Sequence, residues 1–141
     1  MNPEDGDTSR KMAIVVSEDS FDKAMMPMIL ATTGATMGME VHVFFTFFGL
    51  NLLKKDADPK LKGLYRLFTG MFKKRMKKVG VDDFQAQREL AIEMGANLYA
   101  CSTTMNMMEL SESQMVDGIT VLGAAAFLDI AAESEIQLFI G

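Results

Sequence analysis

Short apolar runs rich in β-branched and aromatic residues alternate along this chain with longer stretches in which apolar residues recur at helical spacing. The runs that predict strands are residues 11–16, 41–48, 97–101 and 136–140. The segments that predict helical structure are residues 21–37, 60–78, 84–94, 104–110 and 120–133, with a short extended piece at 115–119. Pro27 lies inside the first of these helices and predicts either a late start near Met26 or a kink.

This order of elements predicts an α/β fold of the flavodoxin or Rossmann-like kind. We expect a three-layer sandwich in which a mainly parallel sheet of about four or five strands carries helices on both faces. Right-handed crossovers place the loops that follow parallel strands at one edge of the sheet. We therefore expect the loops at Ser17, Gly49 and Ser102 to share that edge.

Length and composition predict one globular domain. A chain of 141 residues with 49% hydrophobic residues can bury a single core, which we place at residues 11–141. Residues 1–10 are polar and acidic, which predicts a disordered tail rather than a secretory signal. The longest apolar stretch, residues 119–132, is interrupted by Asp129 and is too short for a bilayer span, so no transmembrane segment is expected.

The charges are unevenly distributed. The net charge is −5, yet 10 of the 14 basic residues lie between Lys54 and Lys78, alongside only two acids. The helical segment from Lys60 to Lys78 therefore has three readings: a solvated helix face, a docking surface for an acidic partner or an anionic sulfur compound, and a contact with anionic membrane or nucleic acid. The third is the least favoured, and the acidic remainder of the chain argues against nucleic-acid binding.

The numbers of cysteine and methionine residues limit the kinds of site that the chain can form. The single cysteine, Cys101, excludes an intrachain disulfide and a multi-cysteine metal site, and it suits a reducing cytoplasm. We expect neither a metal nor a cofactor. The 14 methionines mainly indicate core packing, although Met105, Met107 and Met108 follow the cysteine closely and could line a polarizable pocket.

Cys101 is the main candidate for chemistry because it stands where the third predicted strand runs into a polar turn. Open α/β sheets bind their ligands at the carboxyl ends of strands. Ser102, Thr103 and Thr104 can each cap the following helix, and a thiol at a helix amino end faces N–H groups that lower its pKa. The expected crevice is lined by residues 17–20, by residues 46–49 including Thr46, and by this turn.

Two observations weigh against simple catalytic readings. A lone cysteine is frequently a small buried apolar residue. The sequence therefore favours a structural role and a chemical role for Cys101 about equally. The only histidine, His42, lies near the start of its strand, about 13 Å from Cys101 at the usual rise per residue. We therefore expect a structural role for His42. No glycine-rich dinucleotide motif, Walker loop or nucleophile elbow is present.

Four stretches resemble the DsrE/DsrF-like family of small sulfur-relay proteins, including its peroxiredoxin-like members. They are residues 12–17, residues 98–101 with Met105 and Met108, residues 116–128, and residues 137–140. The resemblance spans roughly residues 12–140. It implies a flavodoxin-like sandwich, a homo-oligomer, and a cysteine after the third strand, here Cys101, that receives and donates sulfane sulfur. It also implies exchange with a small carrier protein of the TusA type. Some members have a second cysteine, which this chain lacks.

Three hypotheses follow. The first is a sulfur carrier or sulfurtransferase that holds a persulfide or an S-thiosulfonate on an exposed, ionised Cys101 and passes the sulfur to a partner thiol. The second is a thiol peroxidase, for which Arg88 is the only nearby arginine to activate the sulfur. The third is a non-catalytic module that binds a small ligand or supports assembly, in which Cys101→Ser would change nothing.

Overall fold

The computed structural model describes residues 10–141. The tail predicted at residues 1–10 therefore lies, apart from Arg10, outside the described residues. The described chain contains an all-parallel five-stranded sheet in the order β4-β3-β2-β1-β5. The strands are β1 (Lys11–Val16), β2 (Glu40–Phe45), β3 (Asn97–Cys101), β4 (Ile119–Leu122) and β5 (Ile136–Ile140). This architecture confirms the predicted α/β fold.

Helices and 3-10 turns form the connections between these strands. The α-helices are α1 (Phe21–Thr36), α2 (Thr69–Lys78), α3 (Phe84–Glu93), α4 (Ser102–Met107) and α5 (Ala124–Ala132). The 3-10 helices are Phe47–Leu53, Gly63–Phe68 and Glu112–Gln114. The alternative of a late start for α1 is wrong, because the helix begins at Phe21 and includes Pro27. No helix of residues 10–141 is long and apolar enough to cross a bilayer.

The two faces of the sheet are covered very differently. One face packs against α1 and α3 and forms the main core, whose fully buried members include Ile14, Val43 and Phe45. The other face carries α5 and a smaller cluster built from Ala13, Phe44, Cys101 and Phe127. Because neighbouring residues of a strand point to opposite faces, Phe44 and Phe45 contribute to different layers of the sandwich. We call these the closed face and the α5 face.

The sequence misplaced the fourth strand. Residues 120–133 were expected to be one helix after an extended piece at 115–119, but Ile119–Leu122 is strand β4, paired with β3. The β-branched residues Ile119, Thr120 and Val121 favour that extended backbone. Gly123 then serves as the N-cap of α5, and the helix covers only Ala124–Ala132.

Two further boundaries differ from the sequence prediction. The second strand ends at Phe45 rather than at Phe48, and a 3-10 helix follows it. The segment 60–78 is not one helix, because Gly63 adopts a positive φ of 64° and the 3-10 helix Gly63–Phe68 precedes α2. Both differences arise where the backbone leaves regular geometry, which an apolar pattern does not encode.

Candidate functional site

Cys101 is the last residue of β3 and the N-cap residue of α4. Its register partner on β4 is Leu122, so it lies at the carboxyl edge of the sheet, as the sequence predicted. Helix α4 begins at Ser102, two residues earlier than expected. Cys101 is therefore itself the capping residue, in place of Ser102, Thr103 or Thr104.

Polar groups surround the sulfur of Cys101 and set its pKa. Burial of the thiol raises the pKa, because a thiolate is poorly solvated away from water. Interactions with the hydroxyl and the N–H of Thr104, the hydroxyl of Thr46 and the N–H of Thr103 outweigh burial. The pKa of Cys101 consequently lies below the ordinary value for a cysteine. This direction favours the thiolate, which is the nucleophilic form.

The two threonine hydroxyls belong to a small network between β2 and α4. The Oγ1 atoms of Thr46 and Thr104 are 3.2 Å apart, and the backbone N–H of Phe47 donates to Thr104 Oγ1 over 3.1 Å. Thr104 Oγ1 accepts from the Phe47 amide and keeps one hydroxyl proton, which it can donate to the sulfur or to Thr46 Oγ1. Thr104 is buried, which holds this geometry in place.

The backbone that supplies this amide is strained. Phe47 has φ of 48°, a left-handed conformation that costs a residue with a side chain about 1–2 kcal/mol. The next turn is equally constrained, because a Cβ at Gly49 would overlap the carbonyl group of Val16. The N–H of Thr46 donates to that same carbonyl over 3.0 Å. The loop after β2 is thus fixed against β1 in a conformation that points the Phe47 amide at Thr104.

The thiol is less accessible than the sequence suggested. Cys101 is only 5% exposed, so the expectation of an exposed sulfur is wrong for this chain on its own. Phe44 and Phe127 stack with ring centroids 4.5 Å apart in the same cluster and help to cover it. An open cleft of about 300 Å³ lies on this face and is lined in part by these two rings and by Phe139. The sulfur is shielded from solvent but lies among hydroxyl and amide groups rather than in a purely apolar interior.

The remaining predicted crevice residues are dispersed. Ser17 follows β1, and β2 lies between β1 and β3 in the sheet. The Ser17 loop is therefore two strand spacings, or about 10 Å in total, from Cys101. The Ser17 backbone N–H donates instead to Ile140 O over 3.0 Å. Ser102 Oγ lies near Gly123, the start of α5. Met105 is buried in the main core and Met107 is exposed, so these methionines do not line one pocket.

His42 occupies the far end of the sheet from Cys101. It is buried and pairs in register with Asn97, the first residue of β3. Its Nδ1 lies 2.7 Å from the Tyr99 hydroxyl and its Nε2 lies 2.9 Å from Glu40 Oε1. Both ring nitrogens therefore have partners, and neither is directed at the sulfur. This geometry is that of a satisfied structural histidine.

Arg88 has a structural environment as well. Its Nη1 donates to the carbonyl of Leu52 over 2.7 Å and to that of Lys54 over 2.9 Å. Its guanidinium lies 5.4 Å from the centre of the Phe84 ring, and burial lowers its pKa. Since these contacts anchor the loop after β2 to α3, Arg88 is not placed to activate Cys101 as the peroxidase hypothesis requires.

Sequence reasoning missed the aromatic residues around the site. Phe47 and Phe48 were placed inside a strand, yet both rings are exposed in the turn that follows β2. Phe127 was read only as part of a helix, yet it is buried beside Cys101. The sequence signal available was the turn residue Gly49 directly after the two phenylalanines, which indicates that the strand ends before them.

The sequence of this chain is similar to those of known proteins. The sequence pattern of the DsrE/DsrF/DrsH-like family matches residues 8–65 and 62–139. A protein of Allochromatium vinosum named sulfur carrier protein DsrE2 is 35% identical over 93% of this chain and 98% of its own length. An uncharacterized protein of Bacillus subtilis, YrkE, is 32% identical over 94% and 98%.

Solved structures share the fold at low sequence identity. A protein of unknown function from Methanobacterium thermoautotrophicum superimposes with a TM-score of 0.69 at 12% identity, covering 93% of this chain and 99% of the other. The ychN protein of E. coli gives a TM-score of 0.64, also at 12% identity, covering 92% and 98%. At such identities the likeness concerns the fold alone.

Proposed function

The chain belongs to the DsrE/DsrF/DrsH-like family, and from this premise we propose that it is a sulfur carrier that holds sulfane sulfur on Cys101. The observation that carries the proposal is the environment of the sulfur. Two hydroxyls and two backbone amides lower the pKa of a buried thiol that has no disulfide partner within the chain. The name of the A. vinosum relative gives independent support for a carrier role.

The loading step is a thiol–disulfide type of exchange at a divalent sulfur. With tetrathionate, the Cys101 thiolate attacks one of the two inner sulfur atoms, forms a sulfur–sulfur bond, and expels thiosulfate with the electron pair of the broken bond. The product is a cysteine S-thiosulfonate, and the total charge is unchanged. With a polysulfide, the same attack forms a persulfide and expels the shortened polysulfide. Neither reaction requires an oxidant, a metal or a nucleotide.

Unloading is the reverse type of step. The thiolate of an acceptor attacks the outer sulfur of the Cys101 persulfide, and the Cys101 thiolate leaves with the bonding electrons. The hydroxyls of Thr46 and Thr104 stabilise this leaving thiolate by hydrogen bonding. Because the chain has no second cysteine, the accepting thiol belongs to another molecule. A small carrier protein of the TusA type in the cytoplasm is the acceptor that we propose.

Burial of Cys101 sets a condition on this function. The thiol is 5% exposed, so donor and acceptor reach the sulfur only when its cover opens. Phe47 and Phe48 form the exposed apolar rim of the loop that supplies Thr46, and we assign them contact with the partner protein. A partner that docks there and displaces the cover formed by Phe44 and Phe127 would expose the sulfur only while it is bound, which protects a persulfide from other thiols in the cell.

We also propose that the chain assembles into a homo-oligomer through the α5 face. Phe139 is 85% exposed on β5, and Leu128 is exposed on α5 beside it. These side chains border the 300 Å³ cleft, so a second copy would bury a continuous apolar surface. Light scattering of the purified protein tests this point. A monomer at micromolar concentration would contradict it.

The direct test of the carrier function is mass analysis of the intact protein after incubation with thiosulfate, tetrathionate or polysulfide. We expect a mass increase that corresponds to added sulfur or thiosulfonate, removed again by a small thiol. The variant Cys101→Ser should show no increase. An unmodified Cys101 with every donor, in folded protein whose thiol still reacts with an alkylating reagent, would overturn the proposal.

A matched pair of variants tests the role of the threonines. Thr46→Val removes a hydroxyl that stabilises the thiolate, whereas Thr103→Val leaves intact the backbone N–H through which Thr103 acts. We expect slower loading of Thr46→Val and unchanged loading of Thr103→Val. Equal loading of both variants at pH 7 would show that the Thr46 hydroxyl has no part in the reaction.

A further inference from the structure

The segment Gly63–Val79 presents bulky apolar side chains to solvent. The sequence predicted that its apolar residues would form one stripe, and such a stripe usually packs against the core. In the structure most of them are exposed instead, including Leu64 at 83% and Leu67 at 84%. The other exposed apolar residues of the segment are Tyr65, Phe68, Met71, Phe72 and Val79. An exposed apolar patch of this extent marks an interaction surface.

The attachment of α2 to the domain explains which side is free. Thr69 Oγ1 accepts from the Leu61 N–H over 3.1 Å, Lys73 pairs with Asp58 at 2.6 Å, and Met76 packs against the main core. Thr69, Lys73 and Met76 follow helical spacing and form the inward stripe. Phe68, Met71, Phe72 and Val79 follow the same spacing on a different side of the helix. This outer stripe is only partly covered, because its side chains are 45% to 77% exposed.

Positive charge accompanies the apolar stripe. Among the described residues, Arg66, Lys74, Arg75, Lys77 and Lys78 have no acidic partner within ion-pair distance. Outside residues 54–78, by contrast, the chain has 17 acidic and four basic residues. The segment therefore combines exposed apolar side chains with a cluster of basic side chains, in a chain that is otherwise acidic.

We propose that the segment Gly63–Val79 binds the surface of an anionic lipid bilayer. Its leucine and phenylalanine side chains enter the boundary between headgroups and acyl chains, and its lysine and arginine side chains contact lipid phosphates. Leu64 and Leu67 belong to the 3-10 helix, whereas Met71, Phe72 and the lysines belong to α2. Apolar side chains combined with lysine and arginine in this way are the composition of an interfacial segment. The protein rests on the membrane in this way and does not span it.

Two other occupants fit the segment less well. The cores of protein–protein interfaces are depleted in lysine, whereas lysine supplies most of the charge of this segment. A second copy of the same segment would bring two strongly positive surfaces together, which is unfavourable. A bilayer accommodates projecting apolar side chains without a complementary groove, and its phosphates neutralise the charges.

The segment Gly63–Val79 begins near the edge of the sheet that holds Cys101. Lys62, just before the segment, pairs with Glu18 in the loop after β1, and Lys60 O accepts from the N–H of Phe21. The segment thus starts at the carboxyl edge of the sheet, the edge that holds Cys101. A bilayer-bound protein would present this edge near the headgroups. The binding itself depends on the surface of the segment and is independent of the chemistry of Cys101.

The test is sedimentation of the full chain with vesicles of equal parts phosphatidylglycerol and phosphatidylcholine, compared with vesicles of phosphatidylcholine alone. We expect binding to the anionic vesicles only, weakened by added salt because screening shortens the reach of the charges. Cys101→Ser should bind as the unaltered protein does. Binding by Cys101→Ser with no sulfur loading separates this proposal from the carrier function.

Two variants separate the apolar and the electrostatic contributions. Replacing Lys74, Lys77 and Lys78 by alanine should lower the partition coefficient by about fivefold for each charge, or roughly a hundredfold together. Leu64→Ser with Leu67→Ser should lower it roughly tenfold, because two inserted side chains are lost. The matched control, Met37→Ser with Met94→Ser, also removes two exposed apolar side chains, but at the C-terminal ends of α1 and α3, and should bind as before.

Several outcomes would overturn the proposal. One is equal sedimentation with neutral and anionic vesicles, and another is no sedimentation with either. Full binding by the Leu64→Ser, Leu67→Ser variant would also reject it. A change in the mass of the protein in solution for that variant, without a change in lipid binding, would assign the segment to a second copy. Binding to polyglutamate but not to anionic vesicles would assign it to an acidic protein.

Discussion

The closed face and the α5 face of the sheet use similar residues for different purposes. On the closed face, α1 and α3 bury Ile14, Val43 and Phe45 completely. On the α5 face, one nine-residue helix covers part of the sheet and leaves Phe139 at 85% exposure. Every group with candidate chemistry that projects from the sheet, including Cys101, His42 and Tyr99, lies on the α5 face.

The difference shows where a small domain can place reactive groups without losing its core. A close-packed apolar layer supplies the stability, and any polar group inserted there costs free energy. A thinly covered layer tolerates a thiol, a histidine and a tyrosine, because hydroxyl, amide and carboxylate groups of neighbouring residues interact with them.

The largest expected effect compares one phenylalanine from each face. Phe45→Ala removes a fully buried ring from the closed face and should lower the free energy of unfolding by about 3–5 kcal/mol. Phe139→Ala removes an exposed ring and should change it by less than about 0.5 kcal/mol in the isolated chain. Urea unfolding followed by circular dichroism measures both. Similar losses would mean that the α5 face is closed in solution.

A smaller effect is expected for Phe127→Ala, which removes the ring that stacks on Phe44. We expect a loss of about 2–4 kcal/mol, because the ring is buried but the layer around it is thin. The variant should also uncover the sulfur, so Cys101 should react faster with iodoacetamide. Leu128→Ala, on the exposed side of the same helix, serves as the control. An unchanged alkylation rate in Phe127→Ala would show that this ring does not shield the thiol.

Tyr99→Phe tests the polar group at the far end of the α5 face. It removes the hydroxyl 2.7 Å from His42 Nδ1 and leaves a buried ring nitrogen without a partner. The expected loss is about 1–2 kcal/mol. Tyr65→Phe, at an exposed position of the 3-10 helix, should cost nothing measurable. Sulfur loading of Cys101 should be unaffected by Tyr99→Phe, and a loss of loading in a folded variant would instead link the two ends of the sheet.

Thr46→Val should change the stability least, but it should clearly change how the alkylation rate of Cys101 depends on pH. The alkylation rate of Cys101 follows the thiolate fraction, so it rises as the pH passes the pKa of the thiol. The pKa of Cys101 is lowered in the folded protein, so its alkylation rate should rise at a lower pH than that of an ordinary cysteine. Removing the Thr46 hydroxyl should move it upward and slow the reaction at pH 7. Thr103→Val should leave the profile in place.

Much of the framework was readable from the sequence. β1, β3 and β5 were predicted with the bounds that the structure shows, because their apolar runs are flanked by polar residues or glycine. β4 was missed because it has only four residues and none is fully buried, so its pattern merges with the alanine-rich helix that follows. Short, half-covered elements carry a weak periodic signal.

The site was readable in part, for a related reason. Placing Cys101 at the end of a strand requires only local pattern, and that position is correct. Its burial depends on Phe44 and Phe127, which are distant in sequence and meet only after folding. The positive φ of Phe47 directs its amide at Thr104. The sequence does not predict this conformation, because phenylalanine rarely adopts it. The exposure of the apolar stripe of α2 likewise depends on how the helix is docked.

The strand order has a consequence for how this protein is made. β1 is paired on one side by β2, which follows it closely in the chain, and on the other by β5, which is synthesised after every other element of the sheet. Until β5 emerges from the ribosome, one edge of β1 has unpaired backbone groups, a template for association with other nascent chains. Closing so long a loop is also slow. Pairing of β5 closes that edge of β1 and makes β5 the edge strand instead. Loss of β5 would leave the long, buried strand β1 as an open edge.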